Sequence, residues 1–225
     1  MTPLLYHGSP GLLGNKIELK PNTGVGWNTF TLGNGFYTSV SESAARLFSH
    51  IALQSQLLRQ GKDPDDITIG KIYQTLVKDD INILDEHSPL DPQTIRGILS
   101  RAGIREETIQ SQSDAYLSKL DTVINLLVYG KNYACNPYEY LIKSLGFDAL
   151  KINEKTWDKW DYYPSNIGVN WESFNENYGA NPPTTVVIYD TSKIKSFKLL
   201  CHAEQVPTLP WEQGMKRDLI QERGR

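Results

Sequence analysis

Cysteine is scarce. Two residues, Cys135 and Cys201, stand far apart with no Cys-x-x-Cys or Cys/His ligand spacing around them, which excludes a disulfide framework and a structural zinc site of the usual pattern and leaves two small buried thiols as the expectation. Charge of one sign is missing as well. The 23 Lys and Arg against 26 Asp and Glu give a formal net charge of −3, and no stretch is dense enough in Lys and Arg to track a phosphate backbone, so nucleic-acid binding driven by bulk charge is not expected. Long apolar runs are absent too. The longest uncharged one, Val123 to Val128, holds an Asn and is far short of a membrane span. The N-terminus Met1-Thr2-Pro3-Leu4-Leu5 lacks a basic region and a cleavage site, so the expectation is a soluble, intracellular protein, whose delivery into a host or target cell would need a route without a standard signal peptide.

What the chain does hold is an ordinary apolar share and many large rings. Apolar residues make up 39% and charged residues 22%, and 12 Tyr, 5 Trp and 6 Phe supply side chains for a core and a pocket; a folded globular state follows. The length of 225 residues favours a single domain, expected over 1–205, with 206–225 as a flexible tail. Leu4-Leu5-Tyr6 reads as a strand that stops at His7-Gly8-Ser9-Pro10, residues 17–19 as a short second one, and Gly35-Phe36-Tyr37-Thr38 as the next. Ser41-Glu42-Ser43 opens a helix, capped by Ser41 or Ser39, with Ala44, Ala45, Leu47 and Phe48 on the helical period. Strands are predicted at 69–77 and 147–152, a shorter apolar segment stands at 81–84, and a turn at Asp190-Thr191 leads to Ile194 and the apolar run 197–200. Helices are predicted from Asp91-Pro92 to Gly103, over 113–128, and over 138–145 with Gly146 as the stop. Thr185-Val186-Val187-Ile188-Tyr189 is the strongest β signal. Strands at both ends with helices between them predict an α+β domain rather than a parallel βαβ array.

Of four histidines, His50, His87 and His202 read as solvated side chains, whereas His7 ends a strand and is followed by Gly and Ser, which let a ligand approach the backbone closely. Tyr6-His7-Gly8-Ser9, then Gly33-Asn34-Gly35-Phe36-Tyr37-Thr38 with Val40-Ser41-Glu42-Ser43-Ala44 on a helix, then Thr185-Val186-Val187-Ile188-Tyr189-Asp190 ahead of Lys193-Ile194, together resemble the ADP-ribosyltransferases of the diphtheria-toxin and poly(ADP-ribose) polymerase type. The three blocks span residue 6 to about residue 200, and the stretch 66–146 carries no motif of that family.

The resemblance implies an ADP-ribosyltransferase-like split β-sandwich with helices packed on the sheets, and NAD as substrate. It implies that His7 hydrogen-bonds a ribose hydroxyl and that Gly8, beside Ser9, offers its backbone N–H and C=O to the nicotinamide amide. Tyr37 would stack on the nicotinamide ring, and the Ser43 hydroxyl would donate to the nicotinamide carbonyl after a two-residue shortening behind Tyr37. The second ring of the sandwich falls on Phe48 or, counted with the gap, on Arg46; Phe48 is preferred because stacking needs a flat ring. Such enzymes break the nicotinamide–ribose bond through an oxocarbenium-like transition state.

The family's catalytic Glu is replaced by Thr185, which cannot supply charge or take a proton at neutral pH, so elongation to poly(ADP-ribose) is not expected. Three readings follow: transfer of a single ADP-ribose helped by the acceptor's own carboxylate; a carboxylate borrowed from Glu172, Glu176 or Asp148; or NAD binding without turnover, as in a pseudoenzyme acting through protein contacts. Solvated carboxylates are the plainer account of those three acids. Trp157, Trp160, Tyr162, Tyr163, Trp171, Phe174 and Tyr178 crowd the loop before the catalytic strand, where the family recognises its acceptor; they read in part as a protein-docking surface and in part as local core. The expected partners are NAD and a protein acceptor, as for an effector or toxin. Transfer to a small molecule, or of an RNA 2′-phosphate, is a further reading, and the latter is disfavoured because the first forty residues hold no Arg.

Overall fold

Val186, Val187 and Ile188 are apolar on both sides of an extended chain, and the strand that they form is buried on both faces. The computed structural model describes residues 4–9, 17, 19, 32–42, 44, 45, 49, 70–128, 136–153 and 184–201. Its strands are β1 Leu4–Ser9, β2 Phe36–Ser39, β3 Lys71–Val77, β4 Ile83–Asp85, β5 Ala149–Asn153, β6 Thr184–Ile188 and β7 Ile194–Cys201. They form one seven-stranded sheet in the order β4-β5-β6-β2-β1-β3-β7. Every neighbouring pair is antiparallel except β4 and β5. Between those two run the helices α1 Pro92–Arg101, α2 Glu106–Gln110, α3 Asp114–Leu117, α4 Leu120–Val128 and α5 Pro137–Ser144. Parallel neighbours cannot be joined by a tight turn, so this helical stretch serves as the crossover. The fold is α+β, as the order of elements predicts, with one parallel pair that it did not.

Alternation along the strands sorts side chains to two cores. Leu5, Phe36, Val77, Ala149, Val186 and Ile188 cluster on one face, where Ile17 and Leu19 also pack. Leu84, Leu150, Val187 and the partly buried Tyr37 face the helices, meeting Ile95, Ile98, Leu99, Leu117, Leu127, Leu141 and Ile142. Each fully buried side chain of that size contributes about 1.5–3 kcal/mol relative to an exposed one.

The α1 prediction holds in detail. Asp91 accepts from the Thr94 amide at 2.9 Å, Pro92 stands in the first turn, and Ile95, Ile98 and Leu99 are the buried stripe. The helix expected over 113–128 is two helices instead. The Ser118 carbonyl is taken by the Leu90 amide at 2.9 Å, and the Ser118 hydroxyl donates back to Ala115 O at 3.0 Å, so local side-chain bonding ends α3 before α4 begins. Helix α2 was not expected, since five residues are too few to show a period. Arg96 ties it to α1, donating to Ile109 O at 2.7 Å and Gln112 O at 2.9 Å. Ile17 and Leu19 lie outside any strand, correcting the expected strand at 17–19; they serve as packing for the Leu5 face. Strand β7 is continuous where two short runs were expected, with irregular register at Ile72/Tyr73 and Leu76/Val77. The aromatic loop before β6, the tail 206–225 and Cys135 lie outside the described residues.

Candidate active site

The sheet comes apart at its middle. β1 pairs with β3 at every residue from Leu4↔Leu76 to Ser9↔Lys71, but with β2 only at Tyr6↔Ser39. Val40 donates to Thr184 O at 3.1 Å; by the alternation of an antiparallel ladder, Phe36 and Thr38 then turn their backbone groups to β6, and Tyr37 and Ser39 turn theirs to β1. The Tyr37 carbonyl therefore points across the parting. His7 answers it: its Nδ1 lies 2.6 Å from Tyr37 O.

A carbonyl only accepts, so Nδ1 carries the proton and Nε2 is left as an acceptor in the neutral ring. The ring is partly buried, stacked on Phe36 at a centroid distance of 4.2 Å and 27°, with Tyr73 beyond at 6.5 Å. Burial among these uncharged rings lowers its pKa from 6.5 to about 4, against the smaller opposing effect of the Tyr37 carbonyl. His7 is thus a neutral acceptor at physiological pH.

Tyr37 itself packs on the helical face, opposite to the face shared by His7 and Phe36. The structure brings His7 to the Tyr37 backbone and not to its ring. The Tyr37 hydroxyl donates to Gly33 O at 2.9 Å. Gly33 has φ +97° and no room for a side chain, since a Cβ there would lie 2.8 Å from Glu139 Cβ. Glu139 is 8% exposed; its Oε2 accepts from the Asn34 amide at 3.1 Å and its Oε1 from Lys143 Nζ at 2.7 Å. Sequence reasoning missed Glu139 as part of this neighbourhood.

Gly8 has one face closed. A Cβ there would lie 1.9 Å from Ala45 O and 2.7 Å from Ser49 N, so the helical residues Ala45 and Ser49 pack directly onto the β1 backbone. Ser41 begins that helix as expected, its Oγ accepting from Ala44 N at 3.4 Å, while Ser39 Oγ accepts from Ser41 N at 3.1 Å. Ser9 is buried at the end of β1. Ser43, Phe48, Arg46, Glu172 and Glu176 lie outside the described residues.

Thr185 is 3% exposed and in register with Ser39 on one side and Ile152 on the other, so it shares the Tyr37 face of the strand next to β2. Asp148 is far from it. Tyr189 N donates to Asp148 O at 2.8 Å, which places Asp148 four residues along β6 from Thr185, about 13 Å of strand. Nor is Asp148 merely solvated: its carboxylate accepts from Asn82 N at 2.8 Å and lies 3.6 Å from Lys193 Nζ. His87 is exposed as expected, 3.5 Å from Glu86 Oε1.

A shallow depression of about 550 Å³ lies along β7 against Ile17, Ile194 and Phe197; neither His7 nor Tyr37 lines it, and Lys195 is its only charged side chain among the described residues. No group of three or more His, Cys, Asp or Glu among the described residues could hold a metal ion, and no helix among them is long and apolar enough to cross a membrane. Comparison with protein-family models, with curated proteins and with solved structures finds no match.

Proposed function

We propose that the chain is a mono-ADP-ribosyltransferase, cleaving NAD at the nicotinamide–ribose bond and transferring one ADP-ribose to a protein side chain. The observation that carries this reading is the parting of β1 from β2, with the His7 imidazole bonded across it to the Tyr37 carbonyl at 2.6 Å. Strands β1, β2 and β6 are neighbours in the sheet, so His7, Tyr37 and Thr185, which the resemblance matches to the family's His, Tyr and Glu, stand on three adjacent strands. On this reading β4-β5-β6-β2 and β1-β3-β7 are the two leaves of the family's split sandwich.

A dinucleotide entering the wedge would meet the strand edges from which both His7 and Tyr37 leave. Nε2 would accept from a ribose hydroxyl, and because the imidazole stays neutral it would not repel the positive charge that develops on the sugar as nicotinamide departs. Tyr37 would hold the nicotinamide ring by stacking. Thr185 offers no base, so the acceptor's own carboxylate would be the nucleophile: its oxygen forms the new bond to the ribose carbon as the bond to nicotinamide breaks, and nicotinamide leaves with that electron pair. The burial of Thr185 favours one second reading, an NAD-binding pseudoenzyme acting through protein contacts.

Purified protein is incubated with labelled NAD and a cell lysate beside His7→Ala and Tyr37→Ala variants. Label on protein and nicotinamide release from wild type alone are the expected results. NAD binding by calorimetry without release selects the pseudoenzyme, and no binding at all sinks both readings.

A further inference from the structure

We propose that Glu139 is a positioning residue for Tyr37, acting through the turn 32–35; this rests on the NAD reading above. Glu139 is the third residue of α5, where a Glu ordinarily turns back to the N-cap amide of its own helix. Here the cap is Asn136, whose Oδ1 accepts from Tyr138 N at 2.9 Å, and Glu139 is free to reach another segment. Its Oε2 takes the amide of Asn34, 105 residues away in sequence. A carboxylate this buried is costly unless paired, and it is paired twice, to that amide and to Lys143.

The turn is held at three consecutive residues, from β2, from α5 and from the residue that follows β6. Tyr189 Oη donates to Leu32 O at 2.5 Å, Tyr37 Oη donates to Gly33 O at 2.9 Å, and Asn34 N donates to Glu139. Gly33 sits so close to α5 that no side chain fits between them. The Gly33 carbonyl is therefore a fixed acceptor, and it sets where the far end of the Tyr37 ring lies. A ring that must receive a flat ligand face-on gains from being set before the ligand arrives. Glu139 touches neither the wedge nor His7; its influence runs from carboxylate to Asn34 amide to Gly33 carbonyl to Tyr37 hydroxyl.

The test is a double-mutant cycle in the full chain. Glu139→Met keeps the length of the side chain and removes both acceptor oxygens, Glu139→Gln keeps one, and Tyr37→Phe removes the last link. Glu139→Met is expected to lower kcat/KM for nicotinamide release about tenfold, chiefly through KM, with most of the loss recovered in Glu139→Gln; in the Tyr37→Phe background the same change is expected to cost less than about twofold. Equal losses in the two backgrounds overturn the proposal. A second readout needs no NAD: with carbon-labelled tyrosine rings, the Tyr37 resonance, assigned from Tyr37→Phe, is expected to move in Glu139→Met and to return in Glu139→Gln. An unmoved resonance overturns the proposal whether or not the chain cleaves NAD. A moved resonance in a chain that releases no nicotinamide upholds the positioning and overturns the enzymatic reading.

Discussion

Acidification discharges the balance that keeps His7 neutral, and the cost can be worked from its surroundings. An imidazole held at about 4 in the fold against 6.5 outside it binds its proton more weakly when folded by about 2.5 units, or about 3 kcal/mol at 1.36 kcal/mol per unit. The sign follows from proton uptake. Between pH 6.5 and about 4 the unfolded chain carries more protons at His7 than the folded one, so stability falls as pH falls; above that window neither state is protonated, and below it the loss is complete. Stacking on Phe36 opposes this, since a cation over a ring gains about 0.5–1 kcal/mol. Burial wins by magnitude.

The perturbation is His7→Asn, which keeps a donor where Nδ1 stands and cannot take a proton. Carboxylates such as Asp85 and Asp190, whose pKa values are lowered by hydrogen bonds from Lys151 and Ser192, destabilise both chains alike in acid, so the difference between wild type and variant isolates His7. Urea unfolding across the window is expected to show wild type losing about 3 kcal/mol more than His7→Asn. Parallel pH curves for the two chains would refute the argument, as would an imidazole titration by NMR centred near 6.5. If the chain turns over NAD as proposed, the acid limb of that turnover is expected near pH 4 and not at the ordinary histidine value.

Gly8→Ala drives a methyl group into backbone, 1.9 Å from Ala45 O, and is expected to lower Tm by about 10 °C; a shift of a degree or two in calorimetry would contradict the packing. Gly97→Ala is the opposite case, a mid-helix glycine in α1 whose Cβ would meet only Arg101 Nη1 at 3.6 Å, and thermal unfolding should show a gain of about 1 kcal/mol. Thr75 is wholly buried and its hydroxyl has no hydrogen-bond partner, so Thr75→Val should stabilise by about 1 kcal/mol, and equal or lower urea stability would mean that the hydroxyl is satisfied. Thr185→Glu puts a carboxyl at a position 3% exposed; the penalty should be largest at neutral pH and shrink as acid neutralises the carboxyl, and a variant as stable as wild type at neutral pH would show that position 185 reaches water or a cation.

Local signals were legible and pairings were not. Asp91, Pro92 and the spacing of Ile95, Ile98 and Leu99 announce α1 because cap, first turn and buried stripe are all written within a dozen residues. The run 185–189 likewise announces β6. That β6 lies beside β2, with Thr38 Oγ1 donating to Val186 O at 2.7 Å across 148 residues, has no local cause and follows from register alone. The same divide runs through the site. His7 and Tyr37 could be matched as motifs, yet whether their side chains share a face depends on whether Ser39 pairs with Tyr6 or with a neighbour of it, and a slip of one residue would bring His7 onto the Tyr37 face. Glu139 was hidden more thoroughly: an acid in the first turn of a helix has a local explanation in the macrodipole, and nothing in residues 136–144 says that its partner is the Asn34 amide.

The buried or part-buried acids on the elements around the candidate positions are already engaged, which bears on how slow or fast the proposed chemistry can be. Glu139 is held by Asn34 and Lys143, Asp148 by Asn82 and Lys193, and His7 is neutral. At the parting the described contacts are those of the His7 imidazole with the Tyr37 carbonyl and with the rings of Phe36 and Tyr73. A positively charged sugar would find carbonyl oxygens and ring faces there, which stabilise it less than a carboxylate does at the same distance. On the proposed reading such a site would rely on holding NAD in position and on charge brought by the acceptor. That division of labour suits one transfer per acceptor carboxylate: a ribose hydroxyl on an attached ADP-ribose brings no charge of its own, so a second addition would lack the group that made the first possible.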